Sequence, residues 1–161
     1  LLGPHTNPCN AKRQILGVYD KGLLKTFANV SNLLKMHHVL VVHGNDGLDE
    51  ISITDKTFVT ELKDGNLNEF EIQPEDFGLS RANIKALKAE TPEESLELIN
   101  AAFEGKESPV QDMISLNAGA SLYLSSASNS IKEGVSLAKE LLNNGKAKQT
   151  FSSYIEMTNS L

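Results

Sequence analysis

His38-Val39-Leu40-Val41-Val42-His43-Gly44-Asn45-Asp46-Gly47-Leu48-Asp49-Glu50 is a β-branched apolar run that breaks abruptly into glycine, asparagine and acid. Four aliphatic residues in succession leave no polar side for water, so the run reads as a strand buried on both faces. Upstream, Leu23, Leu24, Phe27, Val30, Leu33 and Leu34 recur at i, i+1, i+4, i+7, i+10 and i+11, the stripe of an amphipathic helix over about 21–36. Before it, Gln14-Ile15-Leu16-Gly17-Val18-Tyr19 reads as a short strand. Strand, helix and buried strand make a βαβ unit, which predicts parallel strands and a right-handed crossover.

Beyond the acids the period changes. Ile51-Ser52-Ile53-Thr54 and Thr57-Phe58-Val59-Thr60-Glu61-Leu62 both alternate, and Asp64-Gly65-Asn66 is a hairpin turn before Leu67, Phe70 and Ile72. These residues predict an antiparallel excursion near the sheet edge. From Pro74 onward the chain reads as helical. Thr91 is the N-cap of a helix with Pro92 at its first position, and Leu96, Ile99, Ala102 and Phe103 share one face. Helix 109–125 is apolar most of the way round and is expected to be the most buried. Ile131, Val135, Ala138, Leu141 and Leu142 form a one-sided helix with Leu137 on its flank, closed by Asn143-Asn144-Gly145. A last helix carries Phe151, Tyr154 and Ile155. The expected class is α/β: a mostly parallel sheet flanked by helices with a β-hairpin excursion, forming one domain or part of one.

The 161 residues are 40% hydrophobic and 22% charged, enough for a core and unlike a disordered chain. A net charge of −6 argues against nucleic acid as a partner, which needs a basic face. Cys9 is the only cysteine, so intramolecular disulfides and cysteine-cluster metal sites are excluded. Val39–Val42 is too short to cross a bilayer, and there is no signal-peptide pattern, so a cytoplasmic location away from membranes is expected. The opening Leu1-Leu2-Gly3-Pro4-His5-Thr6-Asn7-Pro8 lacks an initiator Met and begins on two aliphatic residues, which reads as the interior of a longer protein.

Chemistry is best placed in the loop after the buried strand, at the carboxyl edge where open α/β sheets bind ligands. Gly44 and Gly47 allow a sharp turn and close backbone approach. Asp49 and Glu50 then offer two hard oxygen donors, suited to Mg2+ that keeps its waters and shares a substrate's phosphates. On composition alone, solvated acids on an ordinary loop are the commoner explanation. Gly3-Pro4 and Asn7-Pro8 stiffen the opening segment into a candidate wall for a flat ligand, or a plain turn. His38 and His43 are five apart on a strand and face opposite ways, which excludes a shared metal. His37-His38 reads as a helix C-terminal feature. Asp76-Phe77-Gly78 lacks the glycine-rich and catalytic loops of a kinase, and Cys9 has no evident base.

In order along the chain, Leu2-Gly3-Pro4 with Thr6-Asn7-Pro8, Gln14 with Gly17-Val18, and His43-Gly44 with Asp46-Gly47-Leu48-Asp49-Glu50 resemble the anthranilate phosphoribosyltransferase family. Pro74-Glu75-Asp76-Phe77-Gly78-Leu79, Leu116-Asn117-Ala118 with Leu122, and Glu133-Gly134 extend the resemblance over nearly all 161 residues. The resemblance implies a two-domain enzyme, with residues 1–161 as the C-terminal part of its α/β domain. Its N-terminal helical domain, glycine-rich phosphate loop and anthranilate-binding arginine are absent here. It implies Mg2+-dependent transfer of phosphoribose from phosphoribosyl pyrophosphate to anthranilate in tryptophan biosynthesis, by a homodimer when full length. Asp49 and Glu50 match the family's Mg2+-binding acids, and Gly3 and Pro4 match a segment lining the anthranilate path. No catalytic nucleophile is implied. His5 replaces the family's usual leucine, and Ala89-Glu90 stands where many relatives carry a glycine pair, a change expected to alter only a surface turn. The isolated polypeptide is expected to be inactive, with an exposed apolar face toward the missing half. Two rivals are a pyrimidine nucleoside phosphorylase-like enzyme, with no need of the acidic pair, and a non-catalytic partner-binding domain that kept the fold.

Overall fold

β1 (Arg13–Gly17) and β2 (His38–Gly44) run parallel, with Ile15 beside Leu40 and Gly17 beside Val42, and α1 (Leu24–Leu33) connects them. A computed structural model describes residues 3–160, so the apolar start at Leu1-Leu2 lies outside the described residues. The expected parallel pairing and its helical connection hold for this pair. α1 is shorter than its apolar stripe: Lys21–Leu23 form a 3₁₀ turn capped by the Asp20 carboxylate, and Lys35, at φ 54°, turns the chain away after Leu34.

The sheet corrects the expectation of mostly parallel strands. β3 (Thr57–Lys63) pairs antiparallel with β2, and β4 (Asn66–Ile72) antiparallel with β3, giving the order β1-β2-β3-β4 with one parallel and two antiparallel pairings among the described residues. The hairpin is therefore half interior. β3 is buried along most of its length, and β4 forms the exposed edge on that side of the sheet. Ile51–Thr54 is a further correction, being no strand despite its alternation. Ile51 and Ile53 plug into the core from a loop, and Ser52 and Thr54 serve a hydrogen-bond cluster described below.

Alternate residues of β2 divide between two cores, which explains its unbroken apolar run. Val39 and Val41 pack with Leu16, Leu24, Ala28 and Leu62 on the α1 side. Leu40 and Val42 pack with Ile51, Ile53, Leu116, Ala120, Leu124 and Val135 on the other. That second layer comprises α2 (Pro92–Phe103), α3 (Pro109–Leu124), α4 (Ile131–Asn143) and α5 (Lys146–Asn159). Thr91 caps α2 as expected, accepting from the Glu94 amide at 3.2 Å. α3 is the most buried helix, with only Ser121 exposed. It meets α4 without clearance, since a Cβ on Gly119 would lie 2.6 Å from the Cα of Val135. Gly145, at φ 78°, both ends α4 and begins α5.

His38 is a correction as well. It is the first residue of β2 and not a helix-end group, and it is buried with its Nε2 2.7 Å from Glu61 on β3. Tyr123 of α3 donates to the same carboxylate oxygen at 2.9 Å. His43 faces the opposite way and bonds the Val18 carbonyl at 2.8 Å, so the two histidines are separated by the sheet as the spacing required.

Candidate functional site

The loop from Asn45 to Lys56 follows the carboxyl end of β2 and forms no strand, so its backbone polar groups must be satisfied individually. Asp46 does much of this. Its carboxylate accepts from the Leu48 amide at 3.2 Å and from the hydroxyls of Ser52 and Thr54. Partial desolvation pushes the Asp46 pKa upward, but these hydrogen bonds outweigh it and hold the group below the ordinary carboxylate range. Its side chain folds back over Gly44, where no Cβ could be accommodated. Asp46 is therefore committed to the loop's own structure.

Asp49 and Glu50 differ. Both are exposed, and neither has a hydrogen-bond or ion-pair partner among the described residues. They line a cavity of about 490 Å³ whose other walls are mostly apolar: Leu48, Ile84 and Leu87, Leu98 and Ile99 of α2, and Met113 and Ile114 of α3, with Lys88 and Ser95 also lining it. The backbone beneath the acids is fixed on two sides. Gly17, ending β1, lies against the peptide of Asp49 so closely that a Cβ there would stand 2.6 Å from its carbonyl carbon. At Ile51 the side-chain amide of Asn117 accepts from the backbone N–H at 3.0 Å and donates to the backbone carbonyl at 2.9 Å.

Among the described residues no group of three His, Cys, Asp or Glu side chains is placed to enclose a metal ion. Two unpartnered carboxylates beside a cavity suit a cation that draws its remaining ligands from water and a phosphorylated substrate, as Mg2+ does. They do not suit an all-protein cage.

The other expected site pair is elsewhere. Gly3 and Pro4 form a 3₁₀ turn with His5 and Thr6, and Pro4 borders a separate cleft of about 80 Å³ with Asn10, Lys12, Leu34 and Met36. Residues 3–8 contribute nothing to the cavity at Asp49 and Glu50. His5 is turned toward α1, 2.9 Å from the Ser31 hydroxyl and with its ring 5.4 Å from that of Phe27; burial lowers its pKa. Ala89 lines the acidic cavity, so the Ala89-Glu90 departure touches the candidate site and not merely a surface turn.

Asp76-Phe77-Gly78 has a structural account. Asp76 accepts from the Gln73 amide at 2.9 Å in a capping box, and Gly78 takes the left-handed conformation at φ 73°. Arg81 then ties this turn to the loop, donating to Glu75 and Asp55 at 2.8 Å each. Cys9 is exposed. No described helix is long and apolar enough to cross a membrane. Sequence reasoning assigned no role to Asn117 or Arg81. Asn117 sits mid-helix, where asparagine is a poor helix former, and that mismatch was the available signal.

Comparison with known proteins bears on this arrangement. The sequence pattern of the glycosyl transferase family, a/b domain, matches residues 1–148. The chain is 43% identical over 160 residues to an anthranilate phosphoribosyltransferase of Methanobrevibacter smithii, covering 99% of this chain and 48% of that protein. The crystal structure of anthranilate phosphoribosyltransferase from Thermus thermophilus superposes with a TM-score of 0.85 at 36% identity, over 96% of this chain and 46% of that one. The enzyme of that name from Saccharomyces cerevisiae in complex with PRPP and Mg superposes with a TM-score of 0.81 at 29% identity, over 92% and 43%. The protein thus spans about half the length of the relatives it matches.

Proposed function

This chain belongs to the glycosyl transferase family, a/b domain, and from that membership we propose that it forms the diphosphate-facing edge of an anthranilate phosphoribosyltransferase. In the reaction, the bond from the ribose anomeric carbon to pyrophosphate breaks, and a bond to the anthranilate nitrogen forms. Pyrophosphate leaves with the electron pair, and the amine loses a proton. Mg2+ bound there would neutralise charge developing on the departing pyrophosphate. The carrying observation is the pair of unpartnered carboxylates at Asp49 and Glu50, on a braced loop and beside a cavity.

In this reading Asp49 and Glu50 hold the metal on the diphosphate side, and the braced loop positions them before substrate arrives, which spares reorganisation during reaction. Gly3 and Pro4 line the approach of anthranilate. Their separation from the acids is compatible with two substrates entering from different sides. A cytoplasmic homodimer is the corresponding assembly.

Calorimetric titration of the 161-residue polypeptide with pyrophosphate in the presence of Mg2+ tests the site. Binding that disappears in Asp49→Asn with Glu50→Gln is expected. Equal binding by the double variant, or none by the parent protein, would overturn the assignment.

A further inference from the structure

We propose that Asn117 is the positioning residue for the acidic pair, a role that rests on the Mg2+ reading of Asp49 and Glu50. Asn117 lies 66 residues beyond Ile51 in sequence, on the most buried helix. Its amide engages both backbone polar groups of Ile51, as a neighbouring strand would. A third bond, from the Asn117 Nδ2 to the Met113 carbonyl at 3.1 Å, fixes which way the amide faces. With Nδ2 held between two carbonyls, Oδ1 is the atom left for the Ile51 N–H. The residue immediately before this clamp is Glu50, and the one before that is Asp49. Rotation of the Ile51 peptide would move the backbone of Glu50 and, through it, both acids.

Asparagine is the side chain this geometry requires. Aspartate, identical in shape, would still accept from the Ile51 N–H but would turn lone pairs toward the carbonyls of Ile51 and Met113. Asn117→Asp therefore separates the hydrogen-bond pattern from packing, and it carries the test if Asn117→Ala does not fold.

The experiment uses Mn2+ alone as a paramagnetic substitute, with amide resonances of the protein followed by NMR. In the parent protein, broadening should centre on residues 48–51 and vanish in Asp49→Asn with Glu50→Gln. Asn117→Asp and Asn117→Ala should raise the half-saturating Mn2+ concentration about fivefold or more, and speed hydrogen exchange at the Ile51 amide at least tenfold. Leu142→Ala, a buried position on α4 outside the core cluster that holds Ile51, should lower the melting temperature and leave Mn2+ half-saturation unchanged. Failure of the parent protein to show local broadening would refute the metal reading and, with it, this role. Local broadening in the parent protein with unchanged half-saturation in both Asn117 variants would refute the role alone.

Discussion

Gly17 and Asp49 are in backbone contact: the last residue of β1 lies directly beneath the peptide of the first acid of the candidate site. The φ of Gly17 is not in the left-handed region, so glycine is needed here for space and not for conformation. Gly17→Ala must push the Asp49 peptide outward or spread β1 from its neighbour. We expect a loss of about 1–3 kcal/mol in urea unfolding, the usual penalty of an overpacked interior. The same variant should weaken Mg2+–pyrophosphate binding, because the displaced atoms carry the carboxylates.

The contact between α3 and α4 gives a second test of the same kind. A Cβ on Gly134 would lie 2.9 Å from the carbonyl carbon of Gly119, and one on Gly119 would meet the backbone of Val135. Gly134→Ala should lower stability by about 1–3 kcal/mol in urea unfolding. Neither glycine lines the cavity at Asp49 and Glu50, so pyrophosphate affinity of the folded fraction should fall less than in Gly17→Ala.

How these features relate to the sequence is uneven. The βαβ unit was legible because Val39–Val42 has no polar face, and the helices from Thr91 onward were legible from caps and period. Ile51–Thr54 misled because alternation reports only that every second side chain is buried. A loop that plugs two isoleucines into a core gives the same signal as a strand. The antiparallel pairing of β3 against β2 was hidden because Thr57–Leu62 does not state its neighbour. At the site, the acids stood out by spacing and family resemblance. Their supports did not, because the Gly17–Asp49 and Asn117–Ile51 contacts join residues distant in sequence.

Asp46 predicts a pH dependence. Burial works against its charge, but the Ser52, Thr54 and Leu48 hydrogen bonds prevail and hold its folded pKa below the unfolded value of about 3.9. A depressed carboxylate contributes stability that is full above the unfolded pKa and is lost as pH falls through the folded one. Melting curves of the parent protein and Asp46→Asn should therefore differ most above about pH 5 and converge as pH falls through the folded pKa, below about 3.9. A constant difference across that range would show that Asp46 acts by shape and not by charge.

Glu61 is the common acceptor for His38 and Tyr123, one from the neighbouring strand and one from α3. Removing it by Glu61→Ala strips a largely buried histidine and a tyrosine hydroxyl of their partner at once. A loss of about 3 kcal/mol or more is expected by denaturant unfolding, because the groups left behind keep their desolvation cost. Tyr123→Phe removes one donor to Glu61 and the acceptor of the exposed Lys63 ammonium, and should cost about 1 kcal/mol.

Asp49 and Glu50 should behave in the opposite way. With no partner among the described residues, neither holds the fold together, and their adjacent charges repel in a protein that already carries −6. Asp49→Asn with Glu50→Gln should leave stability within about 0.5 kcal/mol of the parent, or raise it slightly. The difference should appear when ligand is added. A ligand bound only by the folded state stabilises it by about 2.7 kcal/mol at a hundredfold excess over its dissociation constant. Mg2+ with pyrophosphate should therefore raise the melting temperature of the parent protein and leave that of the double variant where it was. In a full-length anthranilate phosphoribosyltransferase carrying this segment, the same pair of substitutions should lower activity chiefly by raising the Mg2+ requirement. Unchanged activity with unchanged Mg2+ dependence would transfer the metal to other residues, and the brace formed by Gly17 and Asn117 would then need another explanation.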